Sequence, residues 1–329
     1  MKQYKVGIVG ATGMVGQRFT LLLENHPWFD VVALAASGRN KGKTYAEACE
    51  GRWKMTVPMP DKYKDMVMYD ATADAEEIAS KVDFIFCAVD MKKDEIRALE
   101  EKYAKLECPV CSNNSAHRGT PDVPMIIPEI NADHAEIIPA QRKRLGTKRG
   151  FIAVKSNCSI QSYVPALSAL MDFEPTEVSV CTYQAISGAG KTFETWPEMV
   201  DNVIPVISAQ CLRVACSDGH MAAASVKFRN KPSKEVMIER WNNFKGRAQE
   251  LNLPSAPEHY LTYFEEDNRP QTKLDRNLEN GMGVSIGRLR EDTIFDYKFV
   301  SLSHNTLRGA AGGAVLMAEL LCAEGYMDR

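Results

Sequence analysis

The chain reads as an α/β protein in two parts: a doubly wound parallel sheet, then an α+β unit whose sheet is mostly antiparallel. Three observations predict this. Residues 4–36 run strand, glycine turn, helix, strand. Buried apolar runs and amphipathic segments keep alternating to about residue 150, the rhythm of a parallel sheet with crossover helices. Later segments such as "GVSIGRLRE" and "DYKFVSLS" alternate in polarity, which suits antiparallel pairing.

With 329 residues and 45% hydrophobic content, the chain has material for more than one core. A net charge of −3 gives no global basic field, so nucleic acid and anionic membrane are not expected partners. No run of apolar residues is long enough for a membrane span. The opening "MKQYKVGIVGATG" breaks into glycines too early for a signal peptide. The 9 cysteines are odd in number and sit mostly in apolar runs, which predicts a reduced, cytoplasmic protein rather than a disulfide framework. "CPVC" at 108–111 has redox spacing but no second pair to complete a zinc site. It reads as two small residues on a buried strand, and no metal is expected.

The first strand is "YKVGIVG", a β-branched run that ends in glycine. "MVGQRFTLLLENH" follows with Met14, Val15, Phe19, Leu22 and Leu23 at helical spacing, and Pro27 closes it. "DVVALAAS" is the next strand. The turn between strand and helix reads Gly10-Ala-Thr-Gly13-Met-Val-Gly16. A side chain at so tight a turn would block a pyrophosphate, and the helix start supplies free N–H donors to it. This is a Rossmann-type dinucleotide site with G-x-x-G-x-x-G spacing.

The end of the second strand, "AASGRNKGK", selects the cofactor. It offers no acid for a ribose 2′-OH, but Ser37, Arg39, Lys41 and Lys43 suit a 2′-phosphate, so the expected cofactor is NADP(H). Arg39 is the favoured contact because a guanidinium grips phosphate at two points; Lys41 and Lys43 fit a solvated loop equally well. Residues 51–65, "GRWKMTVPMPDKYKD", read as a loop or short edge strand. "VDFIFCAV" is a buried strand, and "KKDEIRALEEKYAKL" a helix with Ile96, Leu99, Tyr103 and Leu106 inward. "CPVCSNN" is a strand with polar residues at its end. Ligands of open parallel sheets lie at the carboxyl ends of strands, which places Asn113, Asn114, Ser115 and Arg118 near cofactor or substrate. "DVPMIIPEIN" reads as a strand running into a Pro-rich connection.

In the second half, the strand "FIAV" leads through Ser156-Asn157 to Cys158, expected in the first turn of a helix, "YVPALSAL". A helix N-terminus favours the thiolate, although position alone also allows an inert core cysteine. "YQAISGAGK" is a strand and a glycine-rich turn, where Gly188 and Gly190 could admit a flat ring to the backbone. His220 follows Asp218-Gly219, and beside a flexible glycine its ring could swing to the thiol as acid or base. Thiol, histidine and nucleotide site together suggest covalent aldehyde chemistry. "SKEVMIERWNNFKGRAQEL" (233–251) reads as one helix with Val236, Ile238, Trp241 and Phe244 inward. "SHNTLRGAAGGAVLMAELLCAEG" reads as a helix of small residues that packs on the nucleotide domain. The expected domains are therefore 1–155 with 305–329 for the dinucleotide, and 156–304 for catalysis and dimerisation. A sheet with one face uncovered is a natural dimer surface.

These motifs, with "SNCSIQ", "QAISGAGK", "RVACSDGH", "RPQTKLDR" and "SIGRLRED", make the chain resemble the aspartate-β-semialdehyde dehydrogenases of the archaeal and fungal type over almost its whole length. The resemblance implies that Cys158 is the nucleophile, preceded by Asn157. It implies that Gln184 orients the substrate, His220 is the acid/base, Arg213 binds the substrate carboxylate, and Arg118 with Asn113 binds phosphate. Thr12, Gly13, Met14 and Val15 match the pyrophosphate turn, Arg39-Asn40 the 2′-phosphate contact, and Ser187, Gly188 and Asn305 the nicotinamide surroundings. The implied reaction is reduction of aspartyl phosphate to the semialdehyde through a cysteine thioester, in a homodimer or homotetramer. A related malonyl-CoA reductase shares these motifs, and a nucleotide-binding regulator is the non-enzymatic alternative. One departure stands out: "DNVIPVISAQCLRV" runs straight from Pro205 to Ser208, where the family carries a few tens of further residues. Persistence of every other motif predicts that those residues are omitted rather than lost.

Overall fold

The computed structural model describes residues 3–206 and 210–328. They form two compact units, Met1–Ser156 with Ala311–Arg329, and Asn157–Ala310.

The first unit is built on β1 (Tyr4–Val9), β2 (Phe29–Ala36), β3 (Tyr69–Asp70), β4 (Phe84–Cys87), β5 (Val110–Ser112), β6 (Met125–Ile126) and β7 (Ile152–Lys155). They pair in parallel in the order β3-β2-β1-β4-β5-β7-β6. The chain winds outward from β1 to β3 and then restarts at β4 on the other side, which puts the switch point between β1 and β4. All four residues of β4, "FIFC", are buried, as a strand covered on both faces requires. Phe29, Phe84 and Phe86 pack edge to face on one side of the sheet.

Helix Met14–Leu23 buries Phe19 and Leu23 as the spacing predicts, while Met14, Val15 and Leu22 are only half-buried. Gln17 and Thr20 take their place on the inner face. Gln17 is there because its amide donates to the carbonyls of Thr12 at 3.0 Å and Arg52 at 2.9 Å, and accepts from the Lys54 N–H at 2.7 Å. It thus ties the glycine turn to the 51–65 segment, which holds a helical turn at Asp61–Lys64 rather than an edge strand. In helix Lys93–Lys105 the expected Ile96, Leu99 and Tyr103 face inward, and Leu106 caps the helix half-buried. Glu100 is fully buried beside them, accepting from Ser112 Oγ at 2.6 Å and Asn114 Nδ2 at 3.0 Å. Burial raises its carboxyl pKa. Cys108 and Cys111 are buried free thiols, and burial pushes Cys108 up to about 12, as befits inert core residues. The closing helix, Ala311–Ala323, is apolar all round and buried on nearly every residue, so its small-residue sequence reflects enclosure rather than a one-sided stripe.

The second unit carries β8 (Pro175–Gln184), β9 (Val203–Val206), β10 (Cys211–Val214), β11 (His220–Phe228), β12 (Leu261–Phe264), β13 (Val284–Glu291) and β14 (Tyr297–Ser303). Their order is β12-β13-β14-β11-β8-β10-β9. Pairing is antiparallel except at β8–β10 and β12–β13. The expected long helix over 233–251 is broken into Lys234–Asn242 and Arg247–Glu250. Met237 and Trp241, one turn apart, are its buried pair; Val236 is exposed. Trp241 donates its indole N–H to the Ala166 carbonyl at 2.8 Å, which satisfies its polar edge in the core. Thr176 to Ser179 of β8 are exposed on both faces of the sheet, while β11 alternates strictly between buried and accessible residues.

β9 and β10 pair with Val206 opposite Cys211, so residues 207–210 alone connect them. Residues 207–209, Ser208 among them, where the further residues were expected, lie outside the described residues. Among the described residues no helix is long and apolar enough to cross a membrane.

Candidate active site

The first unit holds a cleft of about 510 Å³ at the β1/β4 switch point, lined among others by Gly10, Thr12, Gly13, Ser37, Arg39, Arg52, Asp70 and Ala88. Gly10 has φ 99°, and a Cβ there would lie 2.4 Å from the Ala88 carbonyl oxygen. A Cβ at Gly16 would lie 2.2 Å from the Gly10 carbonyl oxygen. These two glycines let the turn fold against β4 and let the helix start directly under it. Gly13 is the exposed N-cap, with its wall side open to the cleft. Met14 and Val15 follow in the first turn, where unpaired N–H groups point outward.

At the second strand's end, Ser37 and Arg39 are exposed on the cleft wall. Asn40 is buried instead, and it bridges Ser37 Oγ and Arg52 Nη2, both at 3.5 Å. It supports the wall rather than presenting itself to a ligand. Lys41 pairs with Asp74 at 2.6 Å, so the loop reading holds for it. Arg52 is a second cleft cation that the sequence did not reveal, because the weakly patterned 51–65 segment gave it no predicted position. Glycine geometry, helix start and cationic wall together fit a dinucleotide with a 2′-phosphate.

At the carboxyl ends of β5 and β7, Asn113 donates its N–H to the Cys87 carbonyl at 2.8 Å and keeps a buried Oδ1 with no protein partner. Arg118 braces the end of β7 through the carbonyls of Lys155 at 3.2 Å and Ser156 at 3.3 Å.

The second unit brings together Cys158, His220, Arg213 and Gly188. Cys158 is half-buried in a turn, not in a helix: a single 3-10 turn, Ile160–Ser162, follows, and the helix proper begins only at Val164. The helix-dipole argument for its activation therefore does not apply. Asn157 shapes this turn by accepting the Ser159 N–H on Oδ1 at 2.7 Å. The groups beside its sulfur come from across the sheet. His220 Nε2 stands 3.5 Å from Cys158 Sγ. The ring does not swing on Gly219, since His220 opens β11 and is fully buried. Its Nδ1 accepts the Ala185 N–H at 3.1 Å, which puts the proton of the neutral ring on Nε2, facing the sulfur.

Arg213 is buried on β10 beside Gln184 of β8 and donates to the Ala185 carbonyl at 2.6 Å. Burial lowers its pKa, and the charges of Cys158 and Cys211 act in the opposite direction. A Cβ at Gly188 would come within 2.8 Å of the His220 ring and 3.0 Å of Arg213 Nη1. Glycine there keeps both groups uncovered; Gly190 has open space instead. Gln184 donates to Thr182 Oγ1 at 3.2 Å. Asn305 links Ser187 Oγ at 2.8 Å to the Gly219 N–H at 2.8 Å, and Ser187 in turn donates to Asp218 at 2.7 Å. This lattice holds the two loops on either side of His220.

A thiol facing an imidazole N–H, with a guanidinium alongside, can form and break an acyl–sulfur bond. Residues 5–138 match the family model "Semialdehyde dehydrogenase, NAD binding domain", and residues 194–308 match "Semialdehyde dehydrogenase, dimerisation domain". The aspartate-semialdehyde dehydrogenase of Aspergillus fumigatus is 38% identical over 363 residues, covering 98% of each chain. That of Archaeoglobus fulgidus is 38% identical over 352 residues, covering 98% of this chain and 99% of its own. A crystal structure of the Candida albicans aspartate semialdehyde dehydrogenase with NADP superposes with a TM-score of 0.87 at 32% identity, covering 99% of this chain and 100% of that one. The chain belongs to the aspartate-semialdehyde dehydrogenase family.

Proposed function

We propose that this chain reduces L-aspartyl-4-phosphate to L-aspartate-4-semialdehyde, with release of phosphate, as a step of amino-acid biosynthesis. The observation that carries the reading is the 3.5 Å approach of His220 Nε2 to Cys158 Sγ, with Arg213 in the same cluster. The Cys158 thiolate attacks the acyl carbon, and the carbon–oxygen bond to phosphate breaks to leave a thioester. Arg213 holds the substrate carboxylate by a two-point contact. Arg118 and Asn113 are assigned to the phosphate, the guanidinium supplying the charge, and Gln184 orients the acyl group. When bound, NADP(H) supplies the hydride for the reduction, and Gly10 to Gly16, Ser37, Arg39 and Arg52 hold it. His220 donates an Nε2–H hydrogen bond to the sulfur at rest and to the oxyanion during reduction; the carbon–sulfur bond then breaks, which frees the semialdehyde and returns the Cys158 thiolate. Accepting a proton at Nε2 would require the ring proton on Nδ1, against the Ala185 N–H, so donation is the role this geometry favours.

The reading is tested by following NADPH oxidation with aspartyl phosphate and with malonyl-CoA. Turnover with aspartyl phosphate alone is expected. Turnover with malonyl-CoA alone would replace the substrate assignment, and none with either would favour a nucleotide-binding regulator. Arg39→Ala is expected to weaken NADPH binding roughly 10- to 100-fold, the worth of one charge-assisted phosphate contact, and NADH less than about two-fold. Equal losses, measured by fluorescence titration of both cofactors, would remove the 2′-phosphate argument.

The dimerisation-domain match supports an oligomer, and the accessible side of β8 and β11 is the proposed contact surface, in a homodimer or a pair of them. The 9 free cysteines support a reducing, cytoplasmic setting.

A further inference from the structure

Downstream of the nucleophile turn lies a residue that no step above uses. Arg308 is fully buried, an unusual place for a guanidinium. Its Nε donates to Gln161 Oε1 at 3.1 Å, and its plane lies over the Tyr260 ring at 4.6 Å. Its backbone N–H is fixed to the Gly281 carbonyl at 3.2 Å. Gln161 is itself buried and sits at the centre of the 3-10 turn three residues after Cys158. The next residue, Gly309, packs on the other side: a Cβ there would lie 2.8 Å from Cys158 Cβ and 2.6 Å from the Asn305 carbonyl oxygen. One short segment therefore reaches the nucleophile turn at two points.

We propose that Arg308 is a positioning residue for the reaction: through Gln161 it fixes the turn that aims Cys158 Sγ at His220 Nε2. The turn needs such a brace because it lacks a helix to hold it. Asn157 sets its start, and the Arg308–Gln161 hydrogen bond sets its end. This rests on Cys158 being the nucleophile, and the test separates the two.

The test compares Arg308→Lys, Gln161→Met and the double variant. The rate of iodoacetamide alkylation at Cys158 is read by peptide mass spectrometry across pH 5 to 9, beside kcat and NADPH affinity. Each single variant is expected to slow alkylation and to lower kcat roughly ten-fold, the scale of a small misplacement of a reacting atom, with NADPH affinity unchanged. The double variant is expected to lose less than the product of the two single losses, since both remove the Arg308–Gln161 contact. Wild-type alkylation rates in folded Gln161→Met would overturn the proposal, as would losses that multiply in the double variant. Because Gln161→Met nearly preserves volume, it keeps the test open if Arg308→Lys fails to fold. Slowed alkylation with unchanged kcat would instead count against Cys158 as nucleophile while leaving the brace intact.

Discussion

Cys158→Ser is expected to lower turnover on the order of 10⁴-fold or more while leaving NADPH affinity within about two-fold of the wild type. Serine is nearly isosteric, so the turn shaped by Asn157 and braced by Gln161 should persist. What it loses is the low-energy anion. A hydroxyl beside His220 cannot become an alkoxide at neutral pH without a base, and the ring presents a hydrogen rather than a lone pair. Steady-state NADPH oxidation and a fluorescence titration check the two halves of this result. Cys181, Cys211 and Cys216 are also partly accessible, so alkylation must be read per residue: Cys158 is expected to react first. Full turnover in Cys158→Ser would sink the nucleophile assignment.

His220→Ala is expected to cost roughly 10² to 10⁴ in kcat with little change in cofactor affinity. The informative partner is His220→Gln, whose amide can still donate a hydrogen bond to sulfur but cannot carry a proton away. If donation is the main role, His220→Gln should recover at least about ten-fold of the loss, roughly the worth of one hydrogen bond to a charged group. If His220→Gln is as slow as His220→Ala, proton transfer dominates, and the Ala185 contact must be released during the cycle. A kcat unchanged in both variants would remove His220 from the mechanism.

Much of the first unit was legible in the sequence, for a local reason. A glycine turn between a buried strand and a helix is a short-range pattern, and the steric demand at Gly10 and Gly16 arises within one βαβ unit and its neighbour β4. The apolar runs of β1, β2 and β4 are equally local. The positions that misled are those where a polar residue is buried by a distant partner. Gln17 and Glu100 fall outside the apolar residues expected inward on their helices, and only the carbonyls of Thr12 and Arg52, or the side chains of Ser112 and Asn114, explain their burial. Helix Lys234–Asn242 shows the same limit: Trp241 is buried as spacing predicts, but Met237 rather than Val236 is its buried partner, and the helix breaks at Asn243.

By itself the sequence determined the fold class, the nucleotide turn and the residue types of the site, because those follow from periodicity, glycine sterics and motif spacing along the chain. Tertiary structure decided how the site works. Cys158 is not at a helix start, and the group that faces its sulfur is His220, brought to 3.5 Å by the pairing of β11 with β8 and by a backbone N–H from Ala185. The tautomer of that ring, the space that Gly188 leaves over His220 and Arg213, and the hold of Arg308 on the nucleophile turn are set by residues far apart in the chain. Sequence spacing carries no record of such distances, whereas hydrogen bonding and close packing do.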